Sequence, residues 1–168
     1  IEPLQAAALH TRQVLLALRH GERSRAARAV AMECWYSTFG GVRARARTQR
    51  LARQANEFAA GVSDPRLTAP VKLMTGGIAA YMEGRWKAAL ELFDDVAEII
   101  RTQCSGLTWE MHFARFYAVR ALYFLGEMKE LARRTSELVE DADARGDLYA
   151  ATDLRTTVVP VTWLVRGE

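Results

Sequence analysis

Glycines recur along this chain in two interleaved series, and that regularity limits the fold more than any other feature. One series, Gly41, Gly84, Gly126 and Gly167, is spaced by 43, 42 and 41 residues; the other, Gly21, Gly61, Gly106 and Gly146, by 40, 45 and 40. A glycine between two helical stretches supplies the left-handed backbone conformation that ends a helix cheaply. Two such series mark a helix–turn–helix unit repeated along the chain, and such a unit cannot bury both of its apolar faces alone. Eleven glycines in 168 residues give some regular spacings by chance. The matching apolar patterns on both sides of each turn argue for a true repeat.

The stretch Thr75 to Thr102 shows the unit most clearly. Met74, Ile78, Ala79 and Met82 fall at three- and four-residue spacings before Gly84; Trp86, Ala89, Leu90, Phe93, Val96, Ala97 and Ile100 do so after it. The charges Glu91, Asp94, Asp95, Glu98 and Arg101 fall largely off that stripe. These periods predict an αα-hairpin, and small residues near the turn allow close approach of its helices. The same reading gives helix pairs over 22–62, 66–104 and 108–145, with half repeats at 1–20 and 147–168. The expected fold is all-α: a right-handed α-solenoid of antiparallel pairs, about eight helices in one domain.

Local signals refine the boundaries. Pro3 suits a first helical turn, and Leu4, Ala8, Thr11, Leu15 and Leu18 form the expected inward face of that first helix. Ala27, Val30, Cys34 and Trp35 face inward from the next. Ser63, Asp64, Pro65 and Pro70 predict a linker with a helix start near 66–70, and Thr108 is the expected cap of the helix from Trp109. Leu131, Thr135, Leu138, Val139 and Ala142 line one side of 127–145, whose acidic end at Glu140, Asp141 and Asp143 opposes the helix dipole. Pro160 is expected to kink or split the last helix near Val159. The opening IEPLQAAALHTRQ lacks both an initial methionine and a signal pattern, which predicts a piece of a longer protein.

Charge is uneven: residues 1–60 carry net +6 and residues 61–168 net −3. The stripe Arg43, Arg47, Arg50 and Gln54, joined by Arg45 and Arg53, is either a solvated helix face or a nucleic-acid surface; no aromatics are interleaved for base stacking. No apolar run approaches a membrane span. Cys34 and Cys104 lie among apolar neighbours, so free thiols and a reduced, cytoplasmic setting are expected.

The offsets around Gly84 resemble the tetratricopeptide repeat, with Gly77 seven before the glycine, Trp86 two after and Ala89 five after. Around Gly126 the same places hold Val119, Met128 and Leu131, and the period exceeds the roughly 34 residues usual for that motif. The runs LTWEMHFARFYAVRALYFLGEMKEL and ARGDLYAATDLRT resemble the helical-repeat region of large bacterial serine/threonine kinases that also carry a P-loop ATPase domain. That resemblance implies a regulatory or partner-binding module, with catalysis elsewhere in the parent protein.

Nothing in the sequence points to an active site. His10, His20 and His112 have no metal-ligand spacing with the cysteines, and neither a phosphate loop nor a nucleophile elbow occurs. No catalytic residue, metal or cofactor is expected. In tetratricopeptide-like stacks the first helix of each pair lines the concave side. Counting back three, six and ten from each turn glycine gives Thr38, Trp35 and Ala31; Tyr81, Ile78 and Met74; Tyr123, Arg120 and Phe116; and Leu164, Val161 and Thr157, with Arg155 nearby. Trp35, Met74, Tyr81, Phe116, Arg120, Tyr123 and Arg155 are the groove residues expected to hold a protein or peptide partner, or a small amphipathic ligand. The other expected associations are nucleic acid on Arg43, Arg47 and Arg50, and a homodimer through the end helices.

Overall fold

A computed structural model of the chain describes residues 3–157, 160, 162 and 163. These form eight helices in antiparallel pairs, with no strand among the described residues. They are α1 (Pro3–His20), α2 (Arg23–Thr38), α3 (Arg45–Ala59), α4 (65–82), α5 (Trp86–Gln103), α6 (Thr108–Leu125), α7 (Met128–Ala144) and α8 (Leu148–Thr157). A 3-10 turn, Gly41–Ala44, leads into α3.

Both glycine series mark the turns. Gly21, Gly41, Gly61, Gly84, Gly106, Gly126 and Gly146 all have φ between 60° and 80°, and no other described residue has positive φ. Gly167 lies outside the described residues. After Gly84, Gly126 and Gly146 the same bond recurs. The next amide closes the helix end onto the carbonyl four before the glycine: Arg85 to Ala80 at 2.9 Å, Glu127 to Leu122 at 3.0 Å and Asp147 to Ala142 at 2.9 Å. This closure needs a left-handed residue, which is why glycine sits there.

One apolar core runs from α2 to α6 through Val30, Leu73, Ile78, Phe93 and Val96. A second, made of Phe116, Val119, Leu122, Leu131 and Leu154, ties α6 to α7 and α8. Each helix packs on its neighbour in sequence, and α2 also packs along α4, which in turn reaches α6. That places α2, α4 and α6 in one layer. Gly77 permits the tightest approach: a Cβ there would lie 2.6 Å from Phe93 Cε1 of α5.

Several local expectations need correction. The helix predicted to start near 66–70 starts at Pro65, capped by Asp64, whose carboxylate accepts from the Arg66 amide. Pro70 lies inside it, and the stretch Leu73–Ile78 widens into a π-helical turn. A proline has no amide hydrogen, so the α ladder lacks the bond from residue 70 to the Arg66 carbonyl, one turn from the helix start. Thr108 does not cap α6; it is the first helical residue, and Leu107 at the cap makes no side-chain bond. The kink at Pro160 and Val159 lies outside the described residues.

The inward face of α1 is also different. Ala8, Thr11, Leu15 and Leu18 are exposed, and Leu4 lies outside the described side chains. The seam against α2 instead centres on buried His10, stacked on Tyr36 at 4.7 Å with Nε2 3.1 Å from Glu33 Oε2. Half-buried Ala6, Val14 and Ala17 continue that line at helical spacing. The acidic end of α7 is satisfied across helices, Asp141 by Arg115 and Asp143 by Arg155, and at its own cap, where Arg145 pairs with Asp141.

Candidate functional site

The layer of α2, α4 and α6 brings aromatic side chains from three helices together. Trp35 of α2 meets Phe113 edge-on at 5.4 Å, and Phe113 meets Tyr117 one turn on at 4.7 Å. Tyr81 of α4 meets Tyr117 edge-on at 5.0 Å and Phe124 at 5.9 Å, and Phe124 stacks on Trp86 at 4.8 Å. Edge-to-face contacts at these separations set ring orientation as well as area.

Arg120 lies within this row. Its Nε donates to Tyr81 Oη at 3.1 Å, and its guanidinium carbon sits 5.4 Å from the centroid of the Phe116 ring. Four described basic side chains are half-buried: Lys72, Arg115, Arg120 and Arg134. Lys72 pairs with Asp95, Arg115 with Asp141 and Arg134 with Asp94. Arg120 alone of the four has no carboxylate among the described residues. A partly desolvated cation without an anion is held at a cost that a bound anion would remove. Burial raises the Tyr117 pKa; the Arg120 charge opposes that shift, while Tyr81 and Asp153 add to it. Asp153 of α8 itself lies 3.0 Å from His112 Nε2.

The seven residues expected to line the groove divide. Trp35, Tyr81, Phe116 and Arg120 come together. Trp35 and Arg120 are half-buried, while Tyr81 and Phe116 are 7% exposed and show little more than an edge. Met74 is enclosed in the core at 2% exposure, where its carbonyl faces Cys34 Sγ. Tyr123 is exposed and touches only Phe124 among described rings. Arg155 is exposed on α8, paired with Asp143. Of the other counted positions, Ala31 and Ile78 are core, Thr38 bonds the Trp35 carbonyl, and Thr157 is exposed. Val161 and Leu164 lie outside the described residues.

Four members of the row fall outside the counted positions: Phe113, Tyr117, Phe124 and Trp86. Phe113 continues the same series, thirteen before Gly126, so extending the stripe by one turn finds it. Tyr117 flanks the stripe, and only the packing of α4 against α6 brings it in.

The arginine stripe stands elsewhere, on α3 and the turn before it. Arg43, Arg45, Arg47, Arg50 and Arg53 are all exposed. Arg47 pairs with Glu33 at 2.5 Å and Arg45 with Glu83 at 3.3 Å, while Arg43, Arg50 and Arg53 have no ion pair among the described residues. Both cysteines are free: Cys34 is buried, its thiol pushed up to about 11 by burial, and Cys104 is half-buried. Among the described residues no three His, Cys, Asp or Glu side chains gather as metal ligands, and no helix is long and apolar enough to cross a membrane.

No protein-family model, no curated protein and no solved structure matches the chain.

Proposed function

We propose that the chain is a non-catalytic binding module, a tetratricopeptide-like solenoid serving as the ligand-sensing or protein-interaction part of a larger bacterial signalling protein. Its binding face is the layer of α2, α4 and α6. Trp35 and Tyr117 supply apolar area, Tyr81 holds Arg120 in place, and Arg120 takes a carboxylate or phosphate from a peptide or a small amphipathic ligand. The observation that carries this reading is the unpaired, half-buried charge of Arg120 in an aromatic row. A guanidinium using one donor on a phenol keeps its outer fork for a bidentate anion. The regulatory setting rests on the sequence resemblance.

Native mass spectrometry of the protein taken straight from lysate tests it, with Arg120→Ala and Arg120→Lys alongside. Wild type should retain a small anionic compound or peptide that Arg120→Ala loses, with Arg120→Lys intermediate. Both variants should melt within a few degrees of wild type, since only a hydrogen bond and a ring contact are lost. Retention of the same mass by Arg120→Ala sinks the reading. So does an equal loss of binding and melting temperature, which would make Arg120 a structural residue.

A further inference from the structure

A second feature, independent of Arg120, lies where the α2–α3 turn meets the end of α4. A cavity of about 210 Å³ opens there, lined by Thr38, Val42, Arg45, Thr48, Met82 and Glu83 among others. Two of its apolar lining residues stand bare: Val42 is 90% exposed and Met82 42%. Its hydroxyls are already engaged. Thr38 donates to the Trp35 carbonyl at 2.6 Å, and Thr48 Oγ1 lies 3.0 Å from Ser37 Oγ and 3.1 Å from the Ala44 carbonyl. The walls therefore suit an apolar group.

The mouth is positive. Arg45 and Arg85 share one carboxylate, Glu83, at 3.3 Å and 3.0 Å. Two guanidiniums on one anion leave a charge over. Arg43, Arg50 and Arg53 extend the positive field along α3, since none of them has an ion pair among the described residues.

We propose that this edge docks a short linear segment of a partner protein in which one large apolar side chain is flanked by acidic residues. The apolar side chain enters the cavity, and its acidic neighbours meet Arg43, Arg45 and Arg85. The volume falls below the roughly 300 Å³ at which small-molecule clefts begin, and suits a single anchor side chain of the kind that dominates interface energetics. A nucleic-acid backbone would use the arginines but leave Val42 and Met82 in water. The bare apolar lips decide for a protein segment.

The test pans a random peptide library displayed on phage against the full chain, with Val42→Asp as the counter-selecting target. Enriched peptides are then made with a fluorophore and titrated by anisotropy. Val42 is 90% exposed, so its replacement should leave the fold and the melting temperature unchanged, which a thermal melt of the variant checks. Enriched sequences should place Leu, Ile, Phe or Trp within a few residues of Asp or Glu. Val42→Asp and Met82→Glu should each weaken them about tenfold or more, while Arg120→Ala leaves their affinity intact. Enrichment without acidic bias, or no enrichment over the counter-selection, overturns the proposal. So does a DNA duplex or an anionic phosphatidylglycerol vesicle that binds wild type and Val42→Asp equally while no peptide is enriched.

Discussion

Gly77 has no room for a methyl group. The added Cβ would stand 2.6 Å from Cε1 and 2.8 Å from Cδ1 of Phe93, a ring with no solvent exposure. Gly77→Ala should therefore destabilise by about 2 kcal/mol through overpacking, read as a lower urea midpoint. Phe93→Leu should recover part of that loss in the double variant, because the two changes share one space. A simple sum of the single costs would show that the contact is not the cause. Cys34 carries a pH signature. Its buried thiol, 3.6 Å from the Thr48 carbonyl, keeps its proton to about pH 11, whereas an unfolded thiol releases it near 9.0. Between those values the unfolded state binds fewer protons, so stability falls as pH rises and is unaffected below that window. The loss should reach about 2 kcal/mol by the top of the window. Denaturation at pH about 8 and about 10.5 measures it, and the additional slope should be missing in Cys34→Ala.

Helices were legible where a glycine stopped them or an apolar stripe ran through them. The stripe from Trp86 to Ile100 is the inward side of α5, and Leu131, Thr135 and Ala142 are the buried line of α7. What failed was decided by neighbours that sequence spacing does not contain. The leucines of α1 form a sound amphipathic face, yet α1 packs through His10, because α2 offers Tyr36 and Glu33 to an imidazole. Pro70 marked a boundary by its local chemistry, but it sits buried inside α4, which runs on into a π turn at Leu73–Ile78 where Thr75 Oγ1 donates to the Val71 carbonyl at 2.8 Å. The acidic end of α7 made no sense within one helix and is explained by Arg115 on α6 and Arg155 on α8. The binding face was legible only in part for the same reason. Counting along α6 gives Arg120 and Phe116, but Tyr117 joins through α4.

At the scale of the whole molecule, stability and the proposed binding face coincide. A helix is held mainly by the apolar surface it buries against its neighbours. The continuous core from α2 to α6 is thus the stable middle, and the ends depend on less. No residue of α1 belongs to a buried apolar cluster among the described residues, and α8 contributes Leu154, Ala150 and Ala151. Native-state hydrogen exchange should therefore grade along the chain, with α1 opening first, α8 next, and α4 to α6 only on global unfolding. Leu154→Ala should speed exchange in α7 and α8 and leave α4 unchanged. Phe93→Ala should cost about 3–5 kcal/mol and speed exchange in α2 through α6 together. Uniform protection from α1 to α8 would contradict this grading and mean that the two cores unfold as one. The grading bears on function, because Trp35, Tyr81, Tyr117 and Arg120 all stand on the slow-exchanging helices. A ligand at Arg120 would then meet an already ordered surface and spend little of its binding energy on ordering it. Its arrival should protect α4 and α6 amides further while α1 continues to open at its unliganded rate.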